Sequence, residues 1–192
     1  MESDPRQDEL AAILRADPVV WPALERARAF ELPDWLIVSG AIYNTVWNAL
    51  TGQSPGYGIR DIDLFYFDGG DLSWEAEDAV IRAGEDHFAG LPLPVEIRNQ
   101  ARVHLWYEKR FGRTCPAYRS SVHALSFFAS KTHAVGVRLN ADDTLSVHAP
   151  FGLADIFAMR IVPNRALDNS ETHTAKGARA RAMWPGVTVE EW

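Results

Sequence analysis

The stretch Asp61-Ile62-Asp63-Leu64-Phe65-Tyr66-Phe67 opens with two carboxylates and continues as an apolar, aromatic run. Such a run favours an extended strand, in which successive side chains point to opposite faces. Asp61 and Asp63 therefore project from one face, close together, where two carboxylates repel each other unless a cation lies between them. Mg²⁺ takes one or two carboxylates and completes its coordination with water and phosphate oxygens. The stretch thus predicts a divalent metal site for a phosphate-bearing substrate.

A second feature upstream is also typical of phosphate binding. Residues 35–41 form an apolar run that ends in Ser39-Gly40-Ala41, and residues 41–50 have the apolar spacing of a helix. The sequence therefore predicts a strand, a tight glycine turn and a helix N-terminus, whose free N–H groups bind phosphate. We predict that Ser39 and Gly40 contact a nucleotide. Asn44, one helical turn further on, either faces the nucleotide or is a polar residue without a role there.

A third strand, residues 94–99, carries another carboxylate and an arginine. Glu96 and Arg98 alternate with apolar residues and so share one face. Glu96 is either a third metal ligand or a surface residue of an edge strand. Arg98 is either its surface ion-pair partner, which stabilises little, or a candidate ligand of a triphosphate. Arg102, in the segment that follows, is a second candidate for that role.

This order of elements resembles the nucleotidyltransferase fold of the DNA polymerase β superfamily. More closely, the chain is similar to a group of small bacterial nucleotidyltransferase-like proteins without an assigned substrate. The resemblance spans roughly residues 35–164, and its most specific segments are Ser39–Asn48, Asp61–Leu64, Asn99–Tyr107, Ala134–Arg138 and Ala149–Leu153.

The resemblance implies an α+β fold with a small mixed sheet flanked by helices. We expect one nucleotidyltransferase-like domain over residues 1–192, with a core of about 30–165, a helical N-terminal lead and a C-terminal helix. Residues 152–161 read as a short helix, and a polar, basic helix begins at Ser170. The implied reaction moves a nucleoside monophosphate from a nucleoside triphosphate to an acceptor, with release of pyrophosphate. The implied site has Asp61, Asp63 and Glu96 as catalytic residues that bind Mg²⁺ or Mn²⁺, and Ser39, Gly40, Asn44, Arg98 and Arg102 as nucleotide-binding residues.

Composition narrows the function classes without naming the acceptor, which can be a small molecule, a protein or RNA. The 192 residues are 47% hydrophobic, with seven tryptophans, which indicates a packed globular domain. A net charge of −7 provides no overall basic surface for a nucleic acid. A lone cysteine, Cys115, fits a reducing compartment such as the cytoplasm, and no apolar run is long enough to cross a membrane.

Two alternatives remain open at this level, and a third does not. The same fold can serve as a nucleotide-binding or interaction module without catalysis. An Asp-x-Asp motif also occurs in metal-dependent glycosyltransferases, but those need a large nucleotide-binding half before the motif, and only about sixty residues precede Asp61. A phosphatase with an aspartate nucleophile requires threonine where Phe65 stands, which excludes that reading.

Overall fold

The computed structural model describes residues 5–192 and contains one five-stranded sheet, one two-stranded sheet and eight α-helices within that range. The strands are β1 (Leu36–Val38), β2 (Ile62–Tyr66), β3 (Val95–Asn99), β4 (Gly136–Leu139), β5 (Leu145–His148), β6 (Arg160–Ile161) and β7 (Thr188–Val189). The helices are α1 (Pro5–Ala16), α2 (Val20–Phe30), α3 (Gly40–Thr51), α4 (Trp74–His87), α5 (Val103–Phe111), α6 (Ser121–Leu125), α7 (Ala154–Phe157) and α8 (Ser170–Met183).

The larger sheet is mixed, in the order β3-β2-β1-β4-β5. Strands β2 and β3 are parallel and are joined through α4, whereas the other neighbouring pairs are antiparallel. The predicted α+β architecture, a small mixed sheet flanked by helices, is confirmed. No helix within residues 5–192 combines the length and the apolar character that crossing a membrane requires.

The two faces of this sheet have different roles. One face carries Ile37, Ile62 and Leu64, which are fully buried in the main core together with side chains of α1, α2 and α3. The opposite face carries Leu36 and Val38, which pack against α6 in a smaller cluster. Asp63 alternates with the core residues of β2, so it lies on this second, less covered face. The strand register therefore keeps its carboxylate out of the main core.

Local signals account for the ends of several helices. The hydroxyl of Ser73 accepts a hydrogen bond from the Ala76 N–H, which caps α4, and Glu75 and Glu77 occupy the first turn, where the helix dipole favours acids. The helix that the sequence predicts from Ser170 is confirmed as α8.

The helix expected over residues 152–161 is shorter than predicted. α7 ends at Phe157, and Met159 adopts a positive φ of 51° that turns the chain into β6. Strand β6 pairs in parallel with β7 near the C-terminus, and the Thr188 N–H donates to the Met159 carbonyl at 3.0 Å. A contact with a distant strand therefore ends this helix, and local spacing does not reveal such a contact.

Candidate active site

A polar cleft of about 260 Å³ lies between the start of α3, the start of β2 and one side of α8. It brings together five of the eight residues that the sequence predicts for the site, and it adds two cations from α8. The predicted residues that line it are Ser39, Gly40, Asn44, Asp61 and Asp63, and the added cations are Lys176 and Arg179.

The turn before α3 is strained and leaves polar groups without partners. Ser39 has φ 56° and ψ −116°, an unusual conformation for a residue with a side chain, and its N–H donates to the Val135 carbonyl at 2.8 Å. Its hydroxyl is buried and finds no hydrogen-bond partner among residues 5–192. No side chain in the described part of the chain caps α3 either. Strain and unsatisfied donors at an uncapped helix N-terminus are what an anion-binding turn requires.

The surroundings of Asp63 disfavour its charged form. Burial, and to a smaller extent the neighbouring charges of Asp61 and Glu96, raise the pKa of the Asp63 carboxyl from an ordinary 3.8 to about 6. Lys176, and to a smaller extent Arg98, act in the opposite direction without cancelling these effects. A cation bound beside Asp63 would offset this repulsion, so the donor set suits a hard divalent ion with oxygen ligands.

Glu96 lies next to Asp63 without completing a metal site. The two residues are direct partners in the parallel pair of β2 and β3, and so they share one sheet face. The Glu96 carboxylate turns instead to Arg98, with Oε2 3.6 Å from Nη2, and both side chains are about half exposed. Among residues 5–192 no three acidic, histidine or cysteine side chains are gathered closely enough to hold a metal. Glu96 would have to leave Arg98 to join Asp61 and Asp63.

The structure does not bring the two predicted arginines into the cleft. Arg102 is buried against α4, where its guanidinium pairs with the Glu77 carboxylate and donates to the Leu72 carbonyl at 2.9 Å. These contacts hold the Arg102 guanidinium inside the fold, because the buried Glu77 carboxylate needs a partner. Arg98 stands further along the sheet, beyond Glu96, and donates to the Ile97 carbonyl at 2.8 Å.

Two cations of α8 that the sequence did not single out line the cleft. Lys176 and Arg179 are three residues apart on α8 and therefore lie on one side of the helix. Desolvation lowers the pKa of the Lys176 ammonium, while Asp63 and Asp61 act in the opposite direction. Arg179 donates to the Gly58 carbonyl at 2.7 Å. The only signal in the sequence is the basic, polar character of α8, which does not say what the helix packs against.

Trp184, just after α8, attaches this helix to α3. Its indole N–H donates to Asn48 Oδ1 at 3.1 Å, and its ring packs edge-on against Trp47, with the ring centroids 5.3 Å apart. Gly58 approaches the same indole so closely that a Cβ there would stand 2.2 Å from a ring carbon. The side of the cleft that carries Lys176 and Arg179 is therefore held to the side that carries the turn at Ser39 and Gly40.

Two comparisons with known proteins give matches. A family model described as nucleotidyltransferase matches residues 25–189. The chain belongs to this nucleotidyltransferase family. The resemblance noted in the sequence is therefore confirmed, whereas nothing supports the glycosyltransferase alternative.

A solved structure also resembles this nucleotidyltransferase over nearly its whole length. It is described as an NMR structure that reveals a CCA-adding enzyme head domain, and it is 24% identical, with a TM-score of 0.79 and 96% of each chain covered. At that identity the likeness shows the fold alone. None of the curated proteins matches the chain.

Proposed function

We propose that this protein transfers a nucleoside monophosphate from a nucleoside triphosphate to an acceptor hydroxyl, with release of pyrophosphate. The observation that carries the proposal is the meeting of three features in one cleft: an uncapped helix N-terminus, two carboxylates, and three cations, Arg60, Lys176 and Arg179. An anion-binding turn and cations serve the phosphates, and carboxylates serve a divalent metal. The acceptor hydroxyl oxygen would form a bond to the α-phosphorus, and the bond from that phosphorus to the pyrophosphate oxygen would break.

The chain's own residues would then have separate tasks. The N–H groups at the start of α3 and the Ser39 hydroxyl would donate to the phosphate oxygens, as would Lys176 and Arg179 from the opposite side. Glu96, on the strand beside Asp63, would accept the proton of the acceptor hydroxyl on a carboxylate oxygen, once it has released Arg98.

Asp61 and Asp63 would hold Mg²⁺ or Mn²⁺, with Glu96 as a third ligand. A bound divalent ion supplies charge neutralisation on the phosphates and eases deprotonation of the acceptor hydroxyl. The raised pKa of Asp63 supports this role, because the carboxylate lacks sufficient compensation from the protein alone.

The test is a pyrophosphate-release assay with each of the four nucleoside triphosphates, in Mg²⁺ and in Mn²⁺, combined with nucleotide-binding measurements. Lys176→Gln should weaken nucleotide binding by about tenfold, because it removes one charge-assisted contact to the phosphates. Lys109→Gln is the matched control, since Lys109 is exposed at the end of α5, outside the cleft, and should bind as the wild type does. Equal affinities for the two variants would contradict the assignment of the cleft.

One observation favours a second candidate, a nucleotide-binding module without catalysis. Glu96 is engaged with Arg98, and the three carboxylates are not assembled as a group. Such a module would bind nucleotide and release no pyrophosphate, and Asp63→Asn would leave binding to its partner unchanged. Pyrophosphate release that Asp63→Asn abolishes would rule the module out.

A further inference from the structure

A second cavity, of about 250 Å³, lies beside the polar cleft and has no part in the proposed handling of the nucleotide. We call it the aromatic cavity. Its walls come mainly from α5 and the segments around α6. Its aromatic lining consists chiefly of Phe65 of β2 and of Trp106, Tyr107, Phe111, Tyr118 and Phe127.

Along the sheet, the carboxylates and the wall of the aromatic cavity are successive residues on one face. Phe65 lines the cavity and follows Asp63 on the same face of β2. On the neighbouring strand, Arg98 opposes Phe65 as Glu96 opposes Asp63. Side chains two positions apart on a strand are separated by about 7 Å. The cavity thus begins one same-face step from the residues that would carry out the chemistry.

Helix α8 makes the same connection independently. Thr172 lines the aromatic cavity, and Lys176 lines the polar cleft. Residues four apart on a helix are neighbours on its surface, about 6 Å apart. The two cavities are therefore adjacent on two separate elements, so a molecule in one can place a group in the other.

We propose that the aromatic cavity is the acceptor subsite, and that it takes a small molecule consisting of an aromatic ring and a hydroxyl that reaches Asp63 and Glu96. This inference rests on the proposed function. The acceptor oxygen forms a bond to the α-phosphorus of the nucleotide, pyrophosphate leaves, and the hydroxyl proton passes to the Glu96 carboxylate.

The size and chemistry of the aromatic cavity select this occupant. An apolar cavity of about 150 Å³ is enough to bind benzene, so about 250 Å³ holds one ring with a short side chain. Aromatic walls favour an aromatic guest through edge-to-face and offset contacts. The Tyr107 hydroxyl already donates to Asn169 Oδ1 at 2.9 Å, so it needs no hydrogen-bond partner from the bound molecule.

Charge and shape argue against larger occupants. The chain has a net charge of −7, which disfavours a polyanionic strand. A docked helix is about 10 Å across and needs an elongated groove, which a cavity of this volume does not provide.

The test uses 2-phenylethanol as the probe and ethanol, which has the hydroxyl without the ring, as its match. NMR titration of the full chain without nucleotide should show shifts at the Trp106 indole and at Phe65 with 2-phenylethanol only. Thr172→Trp, at an exposed position that lines the aromatic cavity, should fill it and weaken binding about tenfold. Thr174→Trp is the same change at an exposed position of α8 that does not line the cavity, and it should bind as the wild type does.

Phe111→Ala provides a second variant, because Phe111 is 43% exposed and its truncation spares the core. It should also weaken the binding of 2-phenylethanol. Shifts away from the aromatic cavity, or equal binding by Thr172→Trp and the wild type, would overturn the inference. The inference would also be overturned if an oligoribonucleotide with a 3′-hydroxyl bound more tightly than 2-phenylethanol and Thr172→Trp did not change its affinity.

A kinetic arm separates this inference from the proposed function. With nucleotide and Mn²⁺, 2-phenylethanol should raise pyrophosphate release above the rate with ethanol, and Thr172→Trp should remove the increase. Equal rates with the two alcohols would overturn the acceptor role. A complete lack of pyrophosphate release with every acceptor, together with binding in the cavity, would instead reject the nucleotidyl transfer itself.

Discussion

Replacing Asp63 by asparagine should make the metal-free protein more stable at neutral and higher pH. The pKa of this carboxyl rises from an ordinary 3.8 to about 6 on folding, chiefly through burial, so the folded chain disfavours its charged form. A difference of about two in pKa corresponds to about 3 kcal/mol. Because part of the carboxylate contacts water in the cleft, we expect solvent screening to reduce this to about 1–2 kcal/mol.

The stability gain of Asp63→Asn depends on pH, because the pKa of the Asp63 carboxyl is higher in the folded chain than in the unfolded chain. Below about pH 4 the carboxyl is protonated in both the folded and the unfolded chain, so the substitution has almost no effect. As the pH rises from about 4 to about 6, the unfolded chain releases this proton before the folded chain does, and the wild type loses stability. Above that window Asp63→Asn should have its full advantage, a melting temperature higher by roughly 2–8 °C in a chain of this size.

The assay is thermal unfolding by circular dichroism at pH 4 and pH 8, with a chelator present. Glu85→Gln, which neutralises an exposed acid of α4, is the control and should change the stability by less than about 0.5 kcal/mol. Mg²⁺ should then stabilise the wild type more than Asp63→Asn, and pyrophosphate release by the variant should fall by orders of magnitude. A variant that is less stable than the wild type at pH 8 without metal, or that gains equally at both pH values, would refute the reasoning.

Two further predictions concern the support of the site. Arg102→Met should lower the free energy of unfolding in urea by about 3–5 kcal/mol, because the Glu77 carboxylate, which is 3% exposed, loses its ion-pair partner. Nucleotide affinity should stay unchanged. A loss of affinity with intact stability would show that Arg102 belongs to the binding site. Gly58→Ala should lower the free energy of unfolding in urea by about 1–3 kcal/mol more than Gly52→Ala does. It should also weaken nucleotide binding. Both glycines have a positive φ, but only a Cβ at Gly58 would meet the Trp184 ring, and equal costs would show that this contact yields freely.

Local sequence patterns predicted much of the fold and part of the candidate site. The strand–turn–helix at Ser39 and Gly40, the alternation of Asp63 with apolar neighbours on β2, and the cap of α4 at Ser73 all depend on residues a few positions apart. Such short-range periods and caps can be read without knowing the rest of the chain.

Contacts between distant segments account for what the sequence reasoning missed. Arg102 is a plausible phosphate ligand until Glu77 is seen beside it, 25 residues earlier in the chain. The helix expected over residues 152–161 ends early because β6 pairs with β7. In each case the competing partner comes from another element, and no local spacing points to it.

The alternation of Asp63 and Glu96 with apolar residues on two strands can be read from local sequence, because a pleated strand sends every second side chain to the same face. The folded chain, in contrast, places these strands side by side in register and brings Lys176 and Arg179 to the cleft that Asp61 and Asp63 line. The links that hold them there, Arg179 to Gly58 and Trp184 to Asn48, span 121 and 136 residues. Such contacts are selected by the packing of the whole chain, since a basic helix has the same local pattern whichever surface it meets.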